Sequence, residues 1–284
     1  MHGEEMNGCC RFSRFFVGLW LFAAPVNAAY DPQHTTWNEL LKAHVRSGVV
    51  DYVGFKKESA KVDVYLAQLG EVPAVAYEAF PRDEKIAYLI NAYNAITVRM
   101  ITDFYPVKSI QSIGETVGGS FFNRKTKQWK VQGYQLGQRT VTFRAMGKPI
   151  SLDEIEHDEL RAKFKEPRVH FALVCGAVSC PFLRSEAYTR QKLNAQLNAQ
   201  GKDFLADSFH NRYDEETKTL YLSKIFDWFS EDFKREGGVL SFVMKYLASE
   251  RVALLPESPE IKFLDYDWSL NSETSTSAKA KGAR

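Results

Sequence analysis

Apolar positions recur at helical spacing from Thr36 to Val45, where Trp37, Leu40, Leu41 and Val45 share one face and Gly48 lies just beyond. A short extended run, Val49–Val53, precedes a predicted helix over 57–69 that ends at Gly70. Pro81 and Asp83 open the longest periodic segment, Asp83 to Thr102, with Ile86, Ile90, Tyr93, Thr97 and Met100 on one face. Between 117 and 145 the pattern changes, and Trp129–Gln132 and Thr140–Phe143 read as short strands around polar turns. Ser151 and Glu154 form a capping box that predicts a helix to about Phe164. Beyond Pro167, the apolar run Val169–Val174 predicts a buried strand. A helix is expected from about Ser185 to Ala206, and a strand over Leu220–Leu222. Ser223 caps a helix over Ile225–Arg235, and Gly237-Gly238 separate it from a helix over Val239–Ala248. Ile261–Leu264 gives a last strand. Helices and short strands mix without regular alternation, which predicts one α+β domain over 30–270 with a small antiparallel sheet flanked by helices.

The ends read differently. Arg11 and Arg14 precede the apolar run Phe15–Ala24, Pro25 breaks it, and Val26-Asn27-Ala28 supplies small residues for cleavage. This is the pattern of a secretory signal peptide over 1–28. The run is roughly half the ~20 residues that a membrane-spanning helix needs. The expected location is therefore periplasmic or secreted, with no stable membrane anchor after cleavage. Residues 271–284, rich in Ser, Thr, Ala and Lys, read as a disordered tail.

Composition narrows the class. With 284 residues, 45% hydrophobic and 25% charged, the chain is globular rather than collagen-like or disordered. A net charge of +2, unchanged once Glu4, Glu5, Arg11 and Arg14 leave with the leader, provides no basic field for nucleic acid. That leaves a small molecule, a peptide or a protein as the partner, and no cofactor is implied.

Chemistry concentrates in Arg168–Pro181. Cys9 and Cys10 lie in the leader, so only Cys175 and Cys180 meet an oxidising compartment. Four residues separate them, so the sulfurs can meet as a disulfide, which would stabilise by only about 2 kcal/mol. The competing reading is a reactive thiol. Cys180-Pro181 stands where a helix could begin, His170 could act as base, and Glu156 could orient the imidazole as in a triad. A zinc site from His170, Cys175 and Cys180 lacks both a usual spacing and a fourth ligand, and no metal is expected. Asn91 and Asn94 sit at and within the apolar arc of the long helix. Buried amides need partners, either neighbouring backbone or a substrate oxyanion.

Several segments together resemble the domain-of-unknown-function family 547 in an exported, bacterial-type form. They are Trp37–Leu41, Val50–Tyr52, Ile90–Asn94, Tyr105-Pro106, Ser151–Glu156, Arg168–Cys175, Ser179–Pro181 and Asp267–Asn271. Occurring in order over almost the whole mature chain, they imply the domain's extent and its site. A looser likeness to papain-like and transglutaminase-like cores implies His170 on a strand and Cys180 as nucleophile. The same likeness allows Asn91 to stand in the nucleophile's place of a non-catalytic relative. Two functions follow: a thiol-dependent hydrolase or acyltransferase, with Cys175 as alternative nucleophile or redox partner, or a non-catalytic scaffold clipped by Cys175–Cys180.

Overall fold

The long helix Arg82–Phe104 is the axis of the fold, and every residue from Ile86 to Thr102 is buried. Its periodicity predicts a single apolar face, but neighbours close around all sides, so its polar residues need internal partners. They have them: Thr97 and Thr102 hydroxyls donate to the Tyr93 and Arg99 carbonyls, and Arg99 pairs with Asp63 and Asp103. The computed structural model describes residues 30–116 and 131–272. The signal-peptide reading over 1–28, the Trp129-Lys130 half of one expected strand and the tail beyond Ser272 lie outside them. No described helix is long and apolar enough to cross a membrane.

Helices Tyr52–Lys57 and Ser59–Gly70 pack along this axis, and Thr35–His44 packs on both of them. Asp51 ends the extended run early, because its carboxylate accepts from Gly54 N and caps a helix at Tyr52. Hairpin Gly133–Leu136 with Arg139–Thr142 follows, and Val131 and Gln132 stand outside it. The Ser151–Glu154 capping box forms as expected, with Ser151 N donating to Glu154 and Glu154 N to Ser151 Oγ. The helix that it starts, Glu154–Phe164, is wound as a π-helix, a form frequent at functional sites.

The class is α+β, with small sheets among helices. Among the described residues the strands form three two-stranded antiparallel ribbons and a separate three-stranded sheet of Arg212–Asp214, Thr219–Leu222 and Glu260–Phe263, in place of a single antiparallel sheet. In that sheet the middle strand pairs antiparallel with the first and parallel with the last. The helix expected over 185–206 runs Leu193–Ala206. That expected over Ile225–Arg235 divides into Lys224–Trp228, capped by Ser223, and a 3₁₀ segment Ser230–Glu236.

The clearest departure is at Val169–Val174, which is no strand. Pro167–Phe171 forms a 3₁₀ helix, with Pro167 at its start and Glu166 accepting from Arg168 N, and irregular chain follows. An apolar run records burial, and burial alone does not select strand over helix. Two hydrophobic clusters meet here. The larger surrounds the long helix, and the smaller gathers Phe171, Phe204, Phe226, Phe233 and Phe242.

Candidate functional site

Irregular chain 172–180 is held in place by side chains from outside it. Asn94 Nδ2 donates to Ala172 O at 2.9 Å, and its Oδ1 accepts from Val174 N at 2.9 Å. Asn91 grips Tyr188 in the same way, donating to its carbonyl at 2.7 Å and accepting its N–H at 3.0 Å. Both amides are therefore engaged with backbone, the first of the two alternatives for buried Asn. Gly176 has φ +84°, and a Cβ there would stand 2.6 Å from Ile101 Cδ1 and 3.2 Å from Tyr52 Oη. The C-terminal segment then clamps the turn. Val178 N donates to Ser269 O, Ser179 N to Asp267 O and Asn271 N to Gly176 O. Asn271 and Ser272, assigned to the tail by composition, are buried, and Asn271 Oδ1 accepts from Tyr52 Oη at 2.8 Å.

This clamp brings Cys175 and Cys180 together, and both are free thiols in this structure. Cys175 N donates to Cys180 Sγ at 2.9 Å, and Cys180 Sγ lies 3.8 Å from Leu173 O. Cys175 Sγ is 3.4 Å from Tyr266 Oη. The two sulfurs are not equivalent. A hydrogen bond from the Cys180 thiol lowers the Cys175 pKa against the cost of burial, and Tyr266 O–H and Ala177 N–H add to it. Burial, reinforced by the neighbouring Cys175 charge, pushes Cys180 well up. Cys175 is half-buried and Cys180 buried.

His170 faces elsewhere. Its Nε2 donates to Asp232 Oδ2 at 2.6 Å, and its ring stacks on Phe229 with 4.0 Å between centroids. Arg161 reaches the same carboxylate through Nε at 2.6 Å and Nη2 at 3.1 Å, and touches His157 Nδ1 at 2.5 Å. Burial holds His170 neutral by lowering its pKa. Burial opposes the charge on Asp232, but bonds from His170 and Arg161 outweigh it and keep that carboxyl far below its ordinary range. Among the described residues no hydrogen bond joins His170 to either sulfur, and Asp232, not Glu156, orients the imidazole. Asp232 was missed because 62 residues separate it from His170.

Glu156 lies between the two groups. Tyr93 Oη donates to its Oε2 at 3.3 Å. Burial raises its pKa to about 7, with Arg161 pulling the other way. Its charge is felt at Cys175, so the carboxyl and the thiol share one poorly solvated environment. Successive turns of the π-helix set Glu156 and Arg161 toward the same region. Among the described residues no group of three or more His, Cys, Asp or Glu side chains converges on a point where a metal ion would sit.

The arrangement is a pair of thiols beside a His–Asp–Arg cluster, with a carboxyl that titrates near neutrality interacting with both. Residues 77–205 match a family described as "Protein of unknown function, DUF547". The matched span contains Asn91, Asn94, Glu156, His170 and both cysteines. No curated protein and no solved structure gives a match of significance. Residues 77–205, which carry both thiols and the helix of Glu156, are thus the part of the chain that belongs to the DUF547 family.

Proposed function

We propose that the protein carries out thiol–disulfide exchange, with Cys175 as the attacking sulfur and Cys180 as the resolving one. The observation that supports this is the asymmetry of the pair: three donors converge on a half-buried Cys175, beside a buried Cys180 that keeps its proton. The Cys175 thiolate attacks one sulfur of a substrate disulfide, forming a mixed disulfide and releasing the other sulfur as a thiolate. Cys180 then loses its proton and attacks Cys175, releasing the second substrate thiolate and leaving Cys175–Cys180 oxidised. An external dithiol returns the pair to the reduced state. Glu156 suits the proton of Cys180, since Tyr93 joins it to the thiol environment and it accepts a proton near pH 7. The leader pattern in 1–28 supports an exported protein, whose compartment supplies disulfide substrates.

One observation favours a second reading, a hydrolase or acyltransferase working through a Cys175 thioester. A carboxyl that is half protonated near neutrality can donate to a leaving group. Such a site lacks the His170–thiol bond of a cysteine–histidine dyad.

Reaction with a small aromatic disulfide tests the proposal. Wild type should release two equivalents of aromatic thiolate and lose two hydrogens in mass. Cys180→Ser should stop at a mixed disulfide and Cys175→Ser should be inert. Equal reactivity of the two variants overturns the exchange reading. A pair that forms once and resists reductant marks it as a clip on a scaffold, and an acylated Cys175 trapped with an activated ester marks the second reading.

A further inference from the structure

Cys175 abuts a wall of three large rings. Tyr266, whose hydroxyl touches the sulfur, packs on Trp268 with 4.5 Å between centroids and on Trp228 with 4.8 Å. The two tryptophans stack at 5.9 Å with 23° between their planes. Trp228 ends the helix Lys224–Trp228, while Tyr266 and Trp268 are alternate residues of the clamping segment and so share a face where the chain is extended. All three keep part of their surface open to solvent. By the same alternation Asp265 and Asp267 face away from these rings, and Asp267 Oδ1 accepts from Ser269 N at 2.9 Å. Asp227, which precedes Trp228, pairs with Lys224 at 2.8 Å, and Asp265 is exposed.

Rings beside a reacting sulfur decide what lies next to the substrate's sulfur. In an extended peptide, residues one or two positions away reach roughly 3–7 Å along the chain. That span, lengthened by the side chain itself, leads from the Cys175 sulfur along Tyr266 toward the tryptophans packed on it. Flat apolar side chains pack on such rings, and cations are attracted by the ring faces. Small acidic thiols have neither a flat side chain nor a cation to place on the rings.

We propose, resting on the exchange reading above, that the substrate is a polypeptide disulfide whose cysteine is flanked by aromatic and basic residues, recognised by Trp228, Tyr266 and Trp268. Two short peptides test this on the reduced wild-type protein, one with Lys and Trp flanking the cysteine and one with Glu and Gly. Each is used with serine in place of cysteine for binding, followed by tryptophan emission, and as its symmetrical disulfide for exchange. Expected are binding of the Lys/Trp peptide alone and at least a tenfold higher kcat/KM for its disulfide. Trp228→Ala should remove about tenfold of that preference and Trp228→Phe should keep most of it. Equal binding and equal exchange for the two peptides overturn the substrate assignment while leaving the exchange reading intact. Exchange with neither disulfide overturns the exchange reading, and the substrate assignment with it.

Discussion

Asn94 takes the place of a neighbouring strand for Val174. Its Oδ1 accepts the Val174 N–H and its Nδ2 satisfies the Ala172 carbonyl, both at 2.9 Å, so a helix side chain pairs a buried backbone that belongs to no sheet. The chain one residue before Cys175 is thereby fixed to the most buried helix of the protein. The position of the Cys175 sulfur and the stability of the core depend on the same amide.

Asn94→Ala should therefore cost about 2–4 kcal/mol, because two buried backbone groups lose their partner. Asn94→Asp keeps the acceptor for Val174 N and loses the donor to Ala172 O, so it should not restore the fold. Denaturant unfolding of the three proteins checks the order.

Gly176→Ala places a methyl against Ile101 and Tyr52 at a backbone angle that only glycine adopts freely. We expect a loss of about 2–4 kcal/mol and a slower, less selective alkylation of Cys175. Thermal melting together with mass-resolved alkylation tests both. An unchanged melt would mean that the turn relaxes without cost.

In native reduced protein, Cys175 should alkylate first, with a midpoint below the ordinary thiol pKa, while Cys180 stays unlabelled. Glu156→Gln removes a nearby negative charge and should move that midpoint lower still. Rates of alkylation against pH, resolved by peptide mass, measure it.

Stability against pH should separate wild type from Glu156→Gln. The folded state raises the Glu156 pKa from 4.5 to about 7, so it binds this proton more tightly than the unfolded chain does. Its contribution is full below about pH 4.5 and declines as pH rises to about 7, by at most about 3 kcal/mol. Buried His34 and half-buried His157, both lowered to about 4, act oppositely and lose stability as pH falls below 6.5. The informative quantity is thus the difference in unfolding free energy between the two proteins, near zero at pH 4 and favouring the variant at pH 8.

Asp232→Asn should destabilise by about 2–3 kcal/mol at neutral pH, less than a fully buried pair because about a quarter of each side chain, Asp232 and Arg161, is exposed. The Asp232 pKa is lowered on folding, so its stabilisation is present above pH 3.8 and is lost as pH falls through and below that value. The gap between the two proteins should therefore narrow in acid. A constant gap would point to packing rather than charge.

Local rules were legible from residues alone. The Ser151–Glu154 box, the Ser223 cap and the span of the long helix follow from hydrogen-bond needs at helix ends and from apolar spacing over several turns. Glu156, His170, Cys175 and Cys180 could be named as candidates from their residue types alone. What each of them touches was decided only by the tertiary structure. Val169–Val174 is apolar because it is buried, and Asn94, 80 residues from Val174, made a sheet unnecessary. His170 belongs to Asp232, 62 residues away, instead of to the thiol ten residues on, and the rings at Cys175 come from the far end of the chain. Composition and periodicity report how much a residue is buried, whereas the partner of a buried polar group is set by long-range packing, which no local pattern carries.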